Sequence, residues 1–170
     1  MERIMIIGCS GSGKSTLARQ LGELLKLPVV HLDQLWWTGN WENVTREAFD
    51  ALLAGEAAKP RWIIDGNFNR TLKMRLDRCD TVIYLDFGRF VCLWSVVKRV
   101  LKYHGKTRPD MGGNCRERFD PEFMKWIWNF NRKHRRDYYA MLREKNDARV
   151  VILKNRAQVR RFLRELEARA

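Results

Sequence analysis

A run of glycine, hydroxyl and lysine residues near the start of the chain has the composition of a phosphate-binding loop. Its residues are Gly8-Cys9-Ser10-Gly11-Ser12-Gly13-Lys14-Ser15-Thr16, and it directly follows the apolar run Ile4–Ile7. Glycines let the backbone turn tightly enough for N–H groups to face phosphate oxygens, and a helix that starts here adds its positive end. The spacing therefore predicts a strand, a loop and a helix that bind nucleotide phosphates, rather than an ordinary glycine-rich turn.

The side chains of this loop have distinct predicted tasks. Lys14 can reach the β- and γ-phosphates, the Ser15 hydroxyl can join the coordination shell of Mg²⁺, and Thr16 continues into the helix. We therefore expect ATP and Mg²⁺ as cofactors, with Lys14 also acting in catalysis. The predicted phosphate-binding residues are Gly8, Ser10, Gly11, Ser12, Gly13, Lys14, Ser15 and Thr16.

A second polar cluster comes at the end of the apolar run Trp62–Asp65. An aspartate that leaves a buried strand next to the phosphate loop can hold the water shell of Mg²⁺, so Asp65 joins Ser15 as a predicted metal residue. The glycine after it lets a ligand approach the backbone closely. We therefore expect Gly66 and Asn67 to lie at the substrate.

A parallel sheet covered by helices would bring these segments together. Short runs rich in Val and Ile alternate with amphipathic stretches, which is typical of an α/β fold. We expect one domain over residues 1–170, a three-layer P-loop NTPase fold whose five-stranded parallel sheet is flanked by helices and carries a lid. The predicted strands are Ile4–Ile7, Val29–Leu32, Trp62–Asp65, Thr81–Phe87 and Arg149–Leu153.

The helical pattern also predicts where the lid lies. Asp120 and Pro121 form a strong helix start, with a cap followed by proline at the first helical position. The glycine-rich, charged segment before them, from residue 105, is expected to be a mobile excursion, and the lid to cover about residues 105–136. Helices are predicted over about 14–26, 45–58, 89–104 and 120–145 and from about 157. The third of these helices is expected to bury Phe90, Leu93, Trp94, Val97 and Leu101.

The phosphate loop and the segment Asp65-Gly66-Asn67-Phe68-Asn69-Arg70-Thr71 together resemble the adenylate-kinase-like P-loop kinases, whose third strand ends in Asp-Gly-Phe-Pro-Arg-Thr. In this chain Asn67-Phe68-Asn69 replaces Phe-Pro and is one residue longer. The resemblance implies phosphoryl transfer from ATP to a nucleoside, nucleotide or hydroxylated metabolite, and makes Arg70 a ligand of the substrate phosphate or γ-phosphate. Three segments, Asp65–Asn67, Gly105–Met111 and Trp126–Phe130, look most like the bacterial group labelled DNA topology modulation proteins.

Asp33 ends the second predicted strand, beside the expected acceptor cleft. A hydroxyl acceptor must lose a proton, whereas a phosphate acceptor is already anionic, so a carboxylate at this place favours a hydroxyl acceptor. Asp33 is thus a predicted catalytic and substrate residue, and the alternative is a helix cap. Trp36 and Trp37, with Trp41, either wall a pocket for a flat or apolar acceptor or pack in the core.

Arginines on the helix after the lid segment are predicted to close over the transferring phosphate. Phosphoryl transfer spreads negative charge over that group, so it needs cations that exclude water. Similar kinases place lid arginines here, which assigns Arg132 and Arg136 to catalysis and Arg135, with Arg108 of the lid segment, to ATP. For each of them the alternative is a solvated basic face.

The net charge of +13 comes entirely from the second half of the chain. Residues 1–88 carry 11 basic and 11 acidic residues, whereas residues 89–170 carry 22 and 9. Such a basic half can serve ATP or make weak, non-specific contact with nucleic acid. A DNA-associated ATPase that affects DNA topology is therefore the main rival interpretation, and a nucleotide-binding regulator without turnover is another.

The cysteines and the hydropathy pattern predict the compartment. The apolar surroundings of Cys79 and Cys92 indicate buried free thiols in a reducing environment. No apolar run approaches the ~18 residues of a membrane span, and no signal peptide is expected before the first strand. We expect a cytoplasmic protein without a membrane partner.

Overall fold

The computed structural model describes residues 1–107, 110–111 and 113–168. Five strands form one parallel sheet, and a short antiparallel pair lies outside it. The sheet contains β1 (Arg3–Gly8), β2 (Val29–His31), β5 (Trp62–Asp65), β6 (Thr81–Leu85) and β7 (Arg149–Leu153), and the pair is β3 (Trp37–Gly39) and β4 (Glu42–Asn43). Across the sheet the order is β2-β5-β1-β6-β7.

Seven α-helices accompany these strands in the described part of the chain. They are α1 (Lys14–Leu25), α2 (Leu32–Trp36), α3 (Arg46–Ala58), α4 (Leu72–Leu76), α5 (Arg89–Tyr103), α6 (Pro121–Glu144) and α7 (Arg156–Glu167). The predicted α/β P-loop NTPase fold, a five-stranded parallel sheet flanked by helices, is confirmed. The short elements α2, α4, β3 and β4 were not predicted, because segments of two to five residues carry too little periodicity to be recognised.

The central strands of the sheet are buried along almost their whole length. All residues of β5 and β6, and all of β1 except Arg3, are buried, because helices cover both faces of a parallel sheet. Ile6 of β1 is in register with Asp65 of β5, and Gly8 is in register with Leu85 of β6. The loop that follows β1 is therefore brought beside the acidic end of β5.

The buried face of α5 differs from the prediction. The helix buries the small residues Cys92, Val96 and Val100, whereas Phe90, Trp94 and Leu101 are 70%, 60% and 75% exposed. The reason is close packing, since α5 approaches the backbone of the loop after β1 and has room there only for small side chains. The expectation that Phe90, Trp94 and Leu101 face inward was wrong.

The described part of the segment before α6 is anchored rather than extended into solvent. The Glu117 N–H donates to the Lys106 carbonyl at 2.9 Å, and the Trp41 indole N–H donates to the Arg116 carbonyl at 3.0 Å. Cys115 and Glu117 are buried. The segment therefore packs on the β3–β4 hairpin, which the sequence pattern did not indicate.

The start of α6 follows the prediction. Asp120 Oδ1 accepts hydrogen bonds from the N–H groups of Glu122 at 2.9 Å and Phe123 at 3.1 Å, and Pro121 takes the first helical position. The prediction of buried free thiols at Cys79 and Cys92 is also confirmed. In the part of the chain that the structure describes, no helix has the length and apolar character needed to cross a membrane.

Candidate active site

The loop after β1 requires glycine at its turning points. Gly8 and Gly11 have φ angles of 146° and 80°, which residues with a side chain rarely adopt. Space is also missing, because a Cβ on Gly11 would lie 2.3 Å from the carbonyl oxygen of Cys92, and one on Gly8 would lie 2.6 Å from that of Leu85. The loop therefore packs closely against α5 and the end of β6, and this packing restricts its backbone conformation.

Lys14 begins α1 and reaches back across this loop, where its ammonium group donates to the Cys9 carbonyl at 3.0 Å. The Cys9 side chain points into the protein, and its hydrogen bond with Cys92, together with burial, raises the pKa of the Cys9 thiol. An opening of about 420 Å³, which we call the phosphate cavity, extends from the loop to α5. Its lining comprises Ser10, Gly11, Gly13, Lys14, Ser15, Thr16, Arg19, Asp33, Asp65, Gly66, Ser95, Lys98, Arg99, Lys102, Tyr103, Asp110 and Arg156.

Two of the predicted phosphate-binding residues do not line this cavity. The N–H of Gly8 donates to the side-chain oxygen of Asn67 at 3.1 Å. Ser12 is only 5% exposed, and its hydroxyl has no hydrogen-bond partner among the described residues. Gly8 and Ser12 are therefore buried parts of the loop, and the Ser12 N–H donates to the Cys9 carbonyl at 3.2 Å within it.

Asp65 links the phosphate loop to a buried histidine. The Ser15 hydroxyl donates to Asp65 Oδ2 at 2.8 Å, and the other carboxylate oxygen, Oδ1, bonds to His31 Nδ1. Burial disfavours the charged imidazole, but the hydrogen bond and charge of Asp65 outweigh it, so the pKa of His31 is raised. Nothing in the local sequence assigns His31 a task, because its contact with Asp65 exists only once β2 and β5 pair.

The loop after Asp65 is held by a buried arginine. Arg75 is completely buried and donates to the carbonyl oxygens of Gly66 at 2.8 Å and Asn67 at 2.5 Å. Burial lowers the pKa of Arg75 to about 10, so the guanidinium remains charged at neutral pH. Because Asn67 in turn binds Gly8, Arg75 fixes the position of this loop relative to the phosphate loop. In the sequence Arg75 looks like an ordinary basic residue, so its position could not be predicted.

A second cavity, of about 490 Å³, opens beside the phosphate cavity, and we call it the acceptor cavity. Ser10, Lys14, Asp33, Gly66 and Arg99 line both. The remaining lining of the acceptor cavity consists of Trp37, Trp41, Asn67, Phe68, Met111, Glu117, Arg118, Asp120, Phe123 and Trp126. The two cavities therefore meet at Lys14 and Asp33.

The structure separates two alternatives that the sequence left open. Asp33 is the second residue of α2 and His31 occupies the cap position, so Asp33 does not cap the helix. It lines both cavities instead. Trp37 and Trp41 line the acceptor cavity, whereas Trp36 packs edge-on against Phe49 at a ring-centroid distance of 5.3 Å. Trp36 thus belongs to the core.

Several of the predicted cationic ligands do not lie at the described cavities. Arg70 is exposed and forms an ion pair with Asp50, with donor distances of 2.5 and 2.7 Å. Arg135 donates to the buried carboxylate of Asp86 at 2.8 Å. Arg132 borders a separate groove near Trp128 and the start of α5, Arg136 is an exposed residue of α6, and Arg108 lies outside the described residues.

Basic residues outside the predicted set lie at the phosphate cavity instead. Lys98, Arg99 and Lys102 of α5 line the phosphate cavity together with Arg156 at the start of α7. The sequence contained a signal for this, because α5 has four basic residues and no acidic one. It was missed because the helix was oriented by its large apolar residues, which turned these cations away from the loop.

No protein-family model matches this chain, and no curated protein sequence matches it significantly. Solved structures do match, among them the shikimate kinase from Bacteroides thetaiotaomicron, with 19% identity and a TM-score of 0.56 over 98% of this chain and 96% of that one. Shikimate kinase from Acinetobacter baumannii in complex with shikimate has 15% identity and a TM-score of 0.59, covering 98% and 90%. A gluconokinase from Sinorhizobium meliloti 1021 has 15% identity and a TM-score of 0.57, covering 98% and 90%. These similarities show a shared P-loop fold.

Proposed function

We propose that this protein is a kinase that transfers the γ-phosphoryl group of Mg-ATP to a hydroxyl group of a small molecule. The observation that carries the proposal is the meeting of the phosphate cavity and the acceptor cavity at Lys14 and Asp33. A phosphoryl group can move directly between two substrates only when both are bound in line across such a junction. A regulator without turnover would not need the second cavity.

The phosphate cavity suits a nucleoside triphosphate. Backbone N–H groups of the loop, the N-terminus of α1 and Lys14 offer the donors that phosphates require, and Lys98, Arg99 and Arg156 add positive charge. Ser15 and Asp65, bonded to each other at 2.8 Å, form a hydroxyl–carboxylate pair that suits Mg²⁺ held mainly by water and phosphate oxygens. When bound, Mg²⁺ would neutralise charge on the transferring group.

Asp33 would accept the proton of the acceptor hydroxyl. Its carboxylate lines both cavities, so it borders the junction where the acceptor oxygen and the γ-phosphate would meet. A base here is useful to a hydroxyl acceptor and of little use to a phosphate acceptor. The fold similarity to shikimate kinase and gluconokinase supports this choice, because those names denote acceptors with hydroxyl groups.

The proposed relationship to the group labelled DNA topology modulation proteins rests on short segments of sequence only. The label of that group would suggest DNA as the partner of the basic half. A cytoplasmic location would fit both a small-molecule kinase and a DNA-associated ATPase. A small-molecule kinase and a DNA-associated ATPase would both bind ATP in the phosphate cavity, so ATP binding does not distinguish the two functions. The molecule that receives the phosphoryl group, a metabolite or water, does distinguish them.

The test is ATP consumption by the purified protein, measured with a panel of hydroxyl-bearing metabolites and, in parallel, with duplex DNA at physiological salt. We expect ADP formation that depends on one class of metabolite and is indifferent to DNA. ATP hydrolysis that DNA stimulates, with no metabolite phosphorylated, would overturn the proposal in favour of a DNA-associated ATPase.

A further inference from the structure

The walls of the acceptor cavity are aromatic on several sides. Trp37 and Trp41 come from the β3–β4 hairpin, Phe68 from the loop after β5, and Phe123 and Trp126 from α6. Thus side chains from three separate segments, rather than one local cluster, bring rings to the same space. Ring faces and edges favour another flat ring, which they contact by stacking or edge-to-face.

The rings also have defined orientations. Trp37 and Trp41 meet edge to face, with centroids 5.4 Å apart and planes at 78°. Phe123 and Trp126 are stacked, with centroids 5.8 Å apart and planes at 9°. At about 490 Å³ the cavity has the size of ordinary small-molecule sites, so a ring compound with a short hydroxyl arm fits it.

The charged residues of the cavity do not favour an anionic acceptor. Lys14 also lines this cavity, but in the proposed function it binds the phosphates; the rest of the described lining contains three carboxylates, Asp33, Glu117 and Asp120, and two guanidinium groups, Arg99 and Arg118. With Lys14 committed to the phosphates of ATP, these five charges sum to −1, so the described lining offers a carboxylate no excess of positive charge.

Both arginines are already engaged by the protein. Arg99 donates to Glu117 Oε1 from Nε at 3.3 Å and from Nη2 at 3.1 Å, and Glu117 is buried. The guanidinium of Arg118 lies 5.9 Å from the ring centroid of Trp41, within the range of a cation–π contact. An acceptor carboxylate would have to compete with these contacts to recruit either cation.

We infer that the acceptor cavity selects a planar, uncharged ring compound that carries a hydroxyl group, and discriminates against hydroxy acids. The inference rests on the proposed function for its claim that the bound compound is the phosphoryl acceptor. It distinguishes this chain from the similar folds named above, because shikimate and gluconate are carboxylates.

The experiment uses two probes of similar size and shape that differ in charge. Para-benzenedimethanol is neutral, whereas para-hydroxymethylbenzoate keeps the ring and one hydroxymethyl group and replaces the other by a carboxylate. The dissociation constants of both are measured by ligand-observed NMR with the protein saturated with Mg-ADP, and phosphorylation of each by ATP is measured separately. We expect the neutral diol to bind about tenfold more tightly than the carboxylate, and trans-cyclohexanedimethanol, which has no aromatic ring, to bind more weakly than the aromatic diol.

Two substitutions test the residues responsible. Trp41→Ala is expected to weaken binding of the diol roughly fivefold, whereas Trp128→Ala, which removes an exposed indole of α6 outside the cavity, leaves it unchanged. Glu117→Gln removes a negative charge beside Arg99. It is expected to reduce or reverse the difference between the dissociation constants of the diol and the carboxylate. A circular-dichroism melting curve of each variant excludes loss of folding as the cause.

The outcomes separate this inference from the proposed function. Equal or tighter binding of the carboxylate, or failure of both ring compounds to bind, overturns the inferred selectivity even if some other molecule is phosphorylated. Selective binding of the diol without transfer of phosphate to any acceptor in the metabolite panel contradicts the kinase function and leaves the selectivity of the cavity standing.

Discussion

The two sides of the candidate site are built in different ways. The phosphate side consists largely of backbone from the consecutive residues 8–16, supported by Asp65 on the neighbouring strand. The acceptor side is assembled from side chains of the β3–β4 hairpin, the loop after β5, α5, α6 and the segment before α6. Under the proposed function, local backbone would give the first side a general phosphate-binding chemistry, and the packing of distant elements would give the second side its selectivity.

This difference implies that substitutions on the two sides have different signatures. On the phosphate side they are expected to lower transfer to every acceptor alike. On the acceptor side they are expected to change which acceptor is used, with nucleotide affinity little affected. Where the two sides meet, a substitution would affect transfer itself.

Lys14→Ala is expected to have the largest effect. Removal of a preorganised cation from the transferring phosphate lowers turnover by about 10³-fold. Steady-state kinetics and calorimetric titration with ATP measure the effect, and Lys73→Ala, on the exposed surface of α4, is the matched control. Wild-type turnover together with wild-type ATP affinity in Lys14→Ala would show that the loop is not the phosphate site.

Asp33→Asn tests the junction of the two sides. The amide keeps the size of the side chain and removes the base, so turnover with a hydroxyl acceptor is expected to fall about 10²-fold while ATP affinity stays near that of the wild type. Asp77→Asn, directly after the end of α4, is the control for loss of a surface carboxylate. Retained transfer to a hydroxyl acceptor would eliminate the proposed base.

Arg99→Ala, compared with Arg132→Ala, tests which helix supplies the catalytic cation. Arg99 lines both cavities, so its loss is expected to lower turnover by about 10²-fold, whereas Arg132 borders a separate groove and its loss should have little effect. The sequence-based hypothesis makes the opposite assignment. A larger loss in Arg132→Ala would mean that α6 moves over the phosphates during turnover.

The parts of the site that could be predicted from the sequence lie mostly on the phosphate side. Gly8, Gly11, Lys14 and Ser15 were identifiable because nine adjacent residues specify a backbone shape, and Asp65 because a polar residue ended an apolar strand. The five strands of the sheet were equally clear, since buried parallel strands are apolar without interruption.

The site residues that could not be predicted from the sequence depend on contacts between residues far apart in the chain. His31 becomes significant through its bond to Asp65, and Arg75 through its bonds to the Gly66 and Asn67 carbonyls, and neither contact leaves a pattern in the local sequence. Arg99 was missed because the large apolar residues of α5 suggested the wrong inward face, whereas the proximity of the Gly11 backbone to Cys92 identifies the face that turns inward.

Asp80→Asn is expected to have the smallest effect and to change stability rather than chemistry. Partial burial acts against the charge of Asp80, but hydrogen bonds from the Thr81 hydroxyl and the N–H groups of Glu2 and Arg3 lower the pKa of Asp80. Because the folded-state pKa is below the unfolded-state value of about 4, the stabilisation is complete above that value and is lost as the pH falls through the folded-state pKa.

The loss in the free energy of unfolding should be about 1 kcal/mol at neutral pH and should shrink toward zero in acid. Urea unfolding of wild type and Asp80→Asn at several pH values measures it, and turnover at neutral pH should not change. A difference that stays constant down to strong acid would rule out the charge of Asp80 as the source.

The fate of the γ-phosphate tests the central claim most directly. Phosphorus NMR of ATP incubated with the protein, Mg²⁺ and a mixture of hydroxyl-bearing compounds shows whether each ADP formed is matched by a phosphate monoester or by inorganic phosphate. We expect one monoester for each ADP, in a reaction that Lys14→Ala and Asp33→Asn both slow. Stoichiometric inorganic phosphate with no monoester, at a rate that no hydroxyl compound changes, would contradict direct transfer between the two cavities.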